Sequence, residues 1–408
     1  MRILLLSDTE SIGGAGIAAA RLARALADLG HEIAMAVNHP QAGPAAGPWQ
    51  RFHLGSSPLN WEQVPNLQGE KHTLGQLQKI FTDFRPQAVS IHNLHGGLKA
   101  GWSVNLVSLC ASKVPTVWTL HDMWSFTGRC AYNGSCQGYL SHCGGYCPTF
   151  DEYPFWPVQK IEETFCKKAS MLVNGGMVAS CPSHWLAKRA GKGLWRNSRI
   201  EVIPNGLDLE TYRPLLRQDA RQCLGLAQEG PFVLLAAADL NDPRKGLHFV
   251  AEALENVETN RLTLLTMGKS TDLDFSAPHV HLGFLSEKDQ VTAYNAADLY
   301  LHAAKADNLP NTIAEALACG TPVVGLSCGG VPEMIEDDKT GLLTKANKIE
   351  FGRAVDRALN KWVGDDEVRR LCRCSAEQHF DPGIQARRYI ELFMQLASSQ
   401  DYNNCIPE

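Results

Sequence analysis

Two carboxylates flank the start of a predicted helix in the run KADNLPNTIAEALACGTPVV. Asp307 lies directly before the helix, and Glu315 lies eight residues later within it. Pro310 fits the first helical turn, so the amides from Leu309 to Thr312 are expected at the helix N-terminus. This arrangement suits a nucleotide sugar, because one carboxylate can contact the sugar while the other accepts hydrogen bonds from ribose hydroxyls. The alternative is an N-cap acid and a surface glutamate.

Two adjacent cations, Arg244 and Lys245, follow a predicted strand in LNDPRKGLHF and precede Gly246 and a helix. Two cations at a strand end suit a diphosphate, because an arginine can bind two oxygens at once. The alternative is a pair of solvated loop charges, and this stretch alone does not separate the two interpretations.

A glycine-rich segment, SIGGAG, connects the first predicted strand to the first helix through Gly13, Gly14 and Gly16. Glycines allow a close backbone approach, and a helix start presents amides to a phosphate or sugar oxygen. The spacing does not match the dinucleotide fingerprint G-x-G-x-x-G, which disfavours a dehydrogenase. We therefore predict a ligand-binding loop, with a plain tight turn as the alternative.

Four of the thirteen cysteines lie close together in the run HDMWSFTGRCAYNGSCQGYLSHCGGYCP. Cys130, Cys136, Cys143 and Cys147 have the spacing C-x5-C-x6-C-x3-C. In a reducing compartment, such thiols favour tetrahedral zinc over disulfides or an iron–sulfur cluster. With all four positions filled by protein, the metal would be structural. Reduced cysteines that only fill space are the alternative.

The elements that must position these residues alternate between apolar strands and amphipathic helices. RILLLS, GIAAARLARALADLG and HEIAMAVN form one βαβ pattern, and the alternation restarts at FVLLAAAD. Parallel sheets place ligand sites at the carboxyl ends of their strands, where most of these candidate residues fall. The stretch from Gln41 to about Thr73 lacks periodicity and is predicted to be a surface excursion, with a helix following it.

Bulk properties set limits on function. A chain of 408 residues predicts two or three domains, at roughly 150 residues per domain. The formal charge of −5 disfavours a general nucleic-acid binder. The N-terminus lacks the apolar region of a secretory signal, and no window reaches the ~20 apolar residues of a membrane span. We therefore expect a cytoplasmic protein.

Taken together, the motifs resemble those of the retaining glycosyltransferases of family 4. The resemblance covers nearly the whole chain. It rests on SIGGAG, TLHD, IPNGLDLETYRP, RKG, NLPNTIAEALACGTPVV, GGVPEMI and TGLL. It implies an α/β fold of GT-B architecture, with two Rossmann-like parallel-sheet domains facing each other across a cleft. We expect an acceptor domain over 1–204 with a cysteine-rich insertion at about 124–150, a donor domain over 205–380, and a C-terminal helix over 381–408 returning to the first domain.

The resemblance implies transfer of a sugar from a nucleoside diphosphate sugar to an acceptor hydroxyl with retention of anomeric configuration. The implied catalytic residues are His121 and Asp307. The implied donor-binding residues are Gly14, Arg244, Lys245, Asn311, Thr312 and Glu315. Fixed cations and the helix start would stabilise the leaving diphosphate, so no divalent metal or other cofactor is expected to be required for catalysis.

Two positions depart from the family pattern. Asp307 stands where the family usually has glutamate, which shortens the reach of the carboxylate towards the sugar by one methylene. Asp239 and Leu240 replace the usual G-R-L segment, so Arg244 beside Lys245 is expected to supply the second cation.

The acceptor is the least constrained part of the prediction. Relatives with the TLHDMWSFTG and DNLPNT patterns commonly build surface polysaccharides on lipid carriers. This suggests a carbohydrate or lipid-linked acceptor and a peripheral contact at the inner membrane face. Two other functions stay open: a nucleotide-sugar 2-epimerase of the same architecture, which needs no acceptor, and a non-catalytic sensor of sugar nucleotides or metals.

Overall fold

The computed structural model describes residues 1–39, 43–55, 67–95, 101–144, 147–149, 154, 160–173, 177–257, 262–269 and 275–404. The chain divides into two compact units. The first comprises Met1–Gly206 and Pro382–Glu408, and the second comprises Leu207–Asp381. Residues 145–146 and 150 of the predicted cysteine-rich insertion lie outside the described residues, as do residues 41–42 and 56–66 of the predicted excursion.

Strands and helices alternate along residues 1–206. The strands are β1 (Arg2–Thr9), β2 (Glu32–His39), β3 (Gln50–His53), β4 (Ala88–Ile91), β5 (Thr116–Thr119), β6 (Met177–Cys181) and β7 (Ile200–Val202). The helices are α1 (Gly13–Asp28), α2 (Leu67–Phe84), α3 (Asn105–Ala111), α4 (Ile161–Val173) and α5 (His184–Ala190). The strands form one parallel sheet in the order β3-β2-β1-β4-β5-β6-β7.

The same alternation continues through residues 207–381. The strands are β8 (Phe232–Asp239), β9 (Thr263–Lys269), β10 (His279–His281), β11 (Leu299–His302), β12 (Val323–Leu326) and β13 (Gly341–Thr344). The helices are α6 (Arg217–Cys223), α7 (Leu247–Leu254), α8 (Glu287–Ala296), α9 (Asn311–Ala318), α10 (Lys348–Trp362) and α11 (Asp366–His379). These strands also form a parallel sheet, in the order β10-β9-β8-β11-β12-β13.

Strand β1, in the interior of the first sheet, is buried on both faces. Ile3 and Leu5 of β1 pack with α1 on one face, while Leu4 and Leu6 pack in a separate cluster on the other. Continuous burial of this kind is typical of parallel sheets covered by helices on both sides. The two parallel sheets with flanking helices confirm the predicted class of two Rossmann-like units.

The last helix, α12 (Pro382–Asn404), packs on the sheet of the first unit. The hydroxyl of Tyr389 is 2.8 Å from Oγ1 of Thr119 on β5 and 2.9 Å from Oγ of Ser180 on β6. Because a buried hydroxyl needs partners, these contacts fix α12 against two neighbouring strands.

The predicted surface excursion contains regular structure. Residues 50–53 form β3, which pairs with β2 at the sheet edge, and α2 begins at Leu67 rather than near Thr73. The sequence prediction was wrong here because QRFH has only one apolar side chain, so an edge strand of this length carries no periodic signal. No helix of the described part is long and apolar enough to cross a membrane.

Candidate functional site

Lys245 and Asp307 form an ion pair in the second unit. The ammonium of Lys245 lies 3.1 Å from Oδ2 of Asp307. Oδ1 of Asp307 accepts a hydrogen bond of 2.9 Å from the amide of Asn308. Burial alone would raise the pKa of Asp307, but Lys245, His302 and the Asn308 amide together hold it below its ordinary value. The fold thus joins a cation and an acid that lie in separate sequence motifs.

Two glycines allow the loops that carry this pair to pack closely. Gly246 follows Lys245 with φ +77°, and a Cβ there would lie 2.0 Å from the carbonyl oxygen of Ala303. Gly329 has φ +57°, and its Cβ would lie 1.7 Å from the carbonyl oxygen of Asp307. Neither position has room for a side chain, so the backbone around the ion pair depends on both glycines.

His302 ends β11 beside Asp307, and the sequence analysis did not identify it. Its Nε2 lies 3.9 Å from Oδ2 of Asp307, beyond hydrogen-bonding distance. Burial lowers the pKa of His302 to about 4, although the carboxylate opposes the shift. The imidazole is therefore neutral at physiological pH, and Lys245 is the cation that pairs with Asp307.

Helix α9 begins beside Asp307 with no side-chain cap. Its N-cap residue is Pro310, whose side chain cannot accept from the first amides. Asn311 and Thr312 occupy the first two helical positions, and both are partly exposed. The positive end of the helix dipole and the N-terminal amides suit an anionic group at this point.

Glu315 lies in the second turn of the same helix, and its side chain is buried. Its Oε2 accepts a hydrogen bond of 2.9 Å from the hydroxyl of Tyr294 on α8. Burial and the nearby carboxylate raise the pKa of Tyr294 well above its ordinary value, so this hydroxyl stays protonated and donates. Tyr294, which the sequence analysis did not identify, thus orients the carboxylate predicted to bind ribose.

Arg244 pairs with Asp242 on its own loop. Its Nη2 lies 2.5 Å from Oδ2 of Asp242, and its Nε lies 3.1 Å from Oδ1. Burial would raise the pKa of Asp242, but the side chain and amide of Arg244 lower it. The two adjacent cations therefore face different carboxylates, and their predicted shared contact with a diphosphate stays a prediction.

In the first unit, Gly14 lies in the first turn of α1. The N-cap residue, Ile12, makes no side-chain cap. A Cβ on Gly13 or Gly14 would meet no atom within 4 Å, so this turn is open to approach. Gly16 differs, because its Cβ would lie 2.3 Å from Oγ1 of Thr9, which makes it a packing glycine between helix and strand.

Glu10 precedes this turn and is fully buried. Its carboxylate accepts hydrogen bonds of 2.8 Å from the Ala46 amide, the Trp49 indole and the Arg51 guanidinium. Burial would raise the pKa of Glu10, but these donors lower it. The ionised carboxylate therefore ties the glycine-rich turn to the segment that leads into β3.

His121 follows β5 and is hydrogen-bonded to His92, which follows the neighbouring strand β4. His92 Nδ1 lies 2.8 Å from His121 Nε2, and the centroids of the two rings lie 5.1 Å apart with 22° between the ring planes. Burial lowers the pKa of His121 to about 4, although Asp122 opposes the shift. His121 is therefore neutral at physiological pH. The sequence analysis did not identify His92, although the apolar run that ends in IHN indicates the strand before it.

Asp122 forms a second buried pair beside His121. Its Oδ2 lies 3.0 Å from Nε2 of His95, and its Oδ1 accepts from the amide of Trp124 at 2.8 Å. Burial would lower the pKa of His95, but Asp122 raises it. The segments that follow β4 and β5 thus place two hydrogen-bonded histidines beside a hydrogen-bonded histidine–aspartate pair.

The four loop cysteines are free thiols that lie near one another. A Cβ on Gly138 would lie 3.5 Å from Sγ of Cys136 and 3.7 Å from Sγ of Cys143. Burial, with the neighbouring thiols of Cys130 and Cys136, raises the pKa of Cys143 to about 11. Burial also raises the pKa of Cys130, and the neighbouring thiol of Cys147 adds to this increase.

Polar groups of the loop face some of these sulfurs. The amide of Gly138 lies 3.4 Å from Sγ of Cys136, and the hydroxyl of Thr149 lies 3.6 Å from Sγ of Cys147. Across the described residues, however, no three or more His, Cys, Asp or Glu side chains form a group that could hold a metal ion. The structural zinc therefore stays a prediction.

Two buried basic side chains, Lys168 and Arg129, hold this loop in place, and burial lowers the pKa of Lys168 to about 7. The ammonium of Lys168 on α4 donates to the carbonyl oxygens of Trp124 and Thr127 and lies 3.5 Å from the centre of the Trp124 ring. Arg129 donates to the carbonyl oxygens of Thr149 and Pro154. Lys168 and Arg129 therefore hold the loop through contacts that do not involve its cysteines.

The described fold is similar to solved structures along nearly its whole length. Sucrose-phosphate synthase from Thermosynechococcus elongatus matches with a TM-score of 0.74 and 18% identity, over 98% of this chain and 99% of that chain. Anabaena Alr3699/HepE in complex with UDP and glucose matches with a TM-score of 0.69 and 18% identity, over 97% of this chain and 100% of that chain. At this identity the likeness establishes the fold.

Two family models match separate parts of the chain. The model "Glycosyltransferase Family 4" matches residues 12–211, and the model "Glycosyl transferases group 1" matches residues 231–361. The chain has the GT-B fold. In this GT-B chain, His121 lies in the part that matches the first model, and Lys245, Asp307 and Glu315 lie in the part that matches the second.

Curated relatives match the GT-B chain over part of their lengths. The putative colanic acid biosynthesis glycosyl transferase WcaC of Escherichia coli K12 is 30% identical over 59% of this chain and 61% of its own length. D-inositol 3-phosphate glycosyltransferase of Mycobacterium sp. strain KMS is 31% identical over 42% of each chain. The matched region thus spans about three fifths of the first relative and about two fifths of the second.

Proposed function

We propose that the protein is a retaining glycosyltransferase that moves a sugar from a nucleoside diphosphate sugar to an acceptor hydroxyl. The observation that carries this proposal is the second-unit cluster of Lys245, Asp307, the uncapped start of α9 and buried Glu315. It combines, within the second unit, a cation, the positive end of a helix dipole and two carboxylates that are held by other side chains. These are the groups that a diphosphate, a sugar and a ribose require.

The proposed division of roles follows from the chemistry of each group. An ammonium has three donor hydrogens, so Lys245 can keep its contact with Asp307 and also contact a phosphate oxygen. The amides of Asn311 and Thr312 would stabilise the charge that develops on the leaving diphosphate. Glu315, oriented by Tyr294, would accept from ribose hydroxyls, and Asp307 would contact the transferred sugar. With these fixed charges, the proposed reaction would not require a divalent metal.

The relatives guide the choice of substrates. Alr3699/HepE has been solved with UDP and glucose, and starch synthase IV from Arabidopsis thaliana with ADP and acarbose. Uridine and adenosine diphosphate sugars are therefore the first donors to test. The name of WcaC refers to colanic acid, so growing surface polysaccharides and their lipid-linked precursors are the first acceptors.

A donor screen followed by turnover separates the candidate functions. The full chain is heated with each nucleoside diphosphate sugar, and donors that raise its melting temperature are incubated with and without acceptor. We expect stabilisation by one class of donor and transfer to acceptor with the anomeric configuration kept. Epimerised donor without acceptor would favour the 2-epimerase, and binding without any turnover would favour the sensor.

A further inference from the structure

Three polar side chains are hydrogen-bonded in series across two neighbouring strands of the first unit. Ser90 lies on β4, His92 directly follows that strand, and His121 follows β5. The strands pair in parallel with Ser90 opposite Val117, so both histidines emerge at the same edge of the sheet. Ser90 and His92 lie outside every sequence motif discussed above.

The contacts between these three side chains are close, and the Ser90 and His92 side chains are buried. Ser90 Oγ lies 3.2 Å from His92 Nε2, and His92 Nδ1 lies 2.8 Å from His121 Nε2. Ser90 is fully buried, and His92 is 1% exposed. The backbone of His92 is also held, because its amide donates to Leu6 and its carbonyl accepts from the Trp118 indole. His92 therefore has little freedom to move.

These contacts determine where the protons lie. Among the described residues, the Ser90 hydroxyl has one hydrogen-bond partner, His92 Nε2. If that nitrogen carried a proton, the buried hydroxyl hydrogen would have no acceptor, which is costly. His92 Nε2 therefore accepts, and the neutral His92 ring carries its proton on Nδ1. That proton is donated to His121 Nε2, so neutral His121 carries its own proton on Nδ1.

We propose that Ser90 and His92 are positioning residues that hold His121 as a neutral ring protonated at Nδ1. Both imidazoles are buried enough that their pKa values lie below the ordinary value, which agrees with two neutral rings at pH 7. In this state the Nδ1–H of His121 can donate a hydrogen bond but cannot accept a proton. Resting on the proposed function, His121 would donate to an oxygen of the transferred sugar and would not act as a general base.

Nuclear magnetic resonance of the full chain labelled with ¹⁵N-histidine tests the proton arrangement without any substrate. His121 is assigned by comparison with His121→Gln. At pH 7 we expect the pattern of a neutral ring with protonated Nδ1 and bare Nε2. A His121 ring protonated at Nε2, or a cationic ring, would overturn the proposal whether or not any donor is ever found.

Ser90→Ala tests whether the serine sets this state. We expect the His121 signals to move towards a mixture of the two tautomers, and kcat for transfer to fall on the order of threefold to tenfold with little change in donor KM. Ser125→Ala is the matched control, because it removes a buried hydroxyl that contacts the Trp195 indole at 3.2 Å instead of a histidine. Equal effects of the two variants on kcat would contradict a positioning role. Absence of transferase activity in the wild type would refute the proposed function, but it would not refute the proton arrangement.

Discussion

Asp307 is held through both its side chain and its backbone. Lys245 pairs with the carboxylate, and Gly329 lies against the carbonyl oxygen so closely that no Cβ fits between them. The sequence predicted Asp307 and Lys245 from local motifs, because each lies at a strand end near a helix start. It did not predict His302 or Tyr294, since the roles of both depend on side-chain contacts that form only in the folded second unit.

Gly329→Ala should displace Asp307 and reduce donor turnover by at least about tenfold. The new Cβ would lie 1.7 Å from the Asp307 carbonyl oxygen, so the loop must move. Gly364→Ala is the matched control, because Gly364 has φ +80° and no atom within 4 Å of its Cβ position. Both variants should lose roughly 1–2 kcal/mol of stability from left-handed strain. Unchanged turnover in Gly329→Ala would contradict the role of this close approach.

At the level of elements, the ends of β4 and β5 bring the first-unit histidines together. Both strands are visible in the sequence, because QAVSIHN and VPTVWTLHD are short apolar runs that end in polar residues. It did not predict the pairing of His92 with His121, which depends on strand order in the sheet. The edge strand β3 was also missed, because a short edge strand has little apolar content to reveal it.

The cysteine loop after β5 is the element whose role remains a proposal. We propose that its four thiols close around one structural zinc ion, with the nearby Gly138 amide supporting Cys136. Metal analysis of tag-free protein expressed with added zinc should give about one zinc per chain. The variant Cys143→Ser should lose the metal, because three thiolates bind zinc more weakly than four.

Cys166→Ser is the control for that experiment, because Cys166 is an exposed cysteine on α4, outside the loop. It should keep the metal content of the wild type. A wild-type chain without zinc or iron would leave Lys168 and Arg129 as the groups that order the loop, and would refute the metal site.

For the whole molecule, each unit contains a neutral histidine whose pKa is well below the pKa of histidine in the unfolded chain. His121 in the first unit and His302 in the second both have a pKa lowered to about 4. Between pH 6.5 and pH 4, the unfolded chain binds protons that these folded histidines do not. Stability therefore falls as the solution is acidified through this range. His95 acts in the opposite direction, because its raised pKa favours the folded state at low pH.

Acidification from pH 7 to pH 5 should therefore lower the unfolding free energy of the second unit. The side chain of His302 is 5% exposed. It should account for about 2 kcal/mol of this loss, because pH 5 lies roughly 1.5 units below the pKa of histidine in the unfolded chain. Urea unfolding at both pH values measures the change. His302→Leu should reduce the pH dependence by this amount, and an unchanged dependence would show that His302 titrates normally in the folded protein.

The sequence predicted the two Rossmann-like units because parallel α/β proteins repeat a strong apolar pattern along the whole chain. It also placed the acidic and cationic motifs at the sheet edges, because that position follows from the fold class. Pair partners such as Asp242 for Arg244 were not predictable, since a loop can direct adjacent cations to different carboxylates.

The most direct test of the proposed donor site is calorimetric titration with the nucleoside diphosphate that the donor screen selects. Lys245→Met removes the cation that pairs with Asp307, and Lys269→Met removes an exposed cation of the same unit that lies 3.5 Å from Asp239. The account predicts that Lys245→Met weakens binding by at least about tenfold, as expected for a charged hydrogen bond, and that Lys269→Met binds like the wild type. Equal affinity of Lys245→Met and the wild type would contradict it.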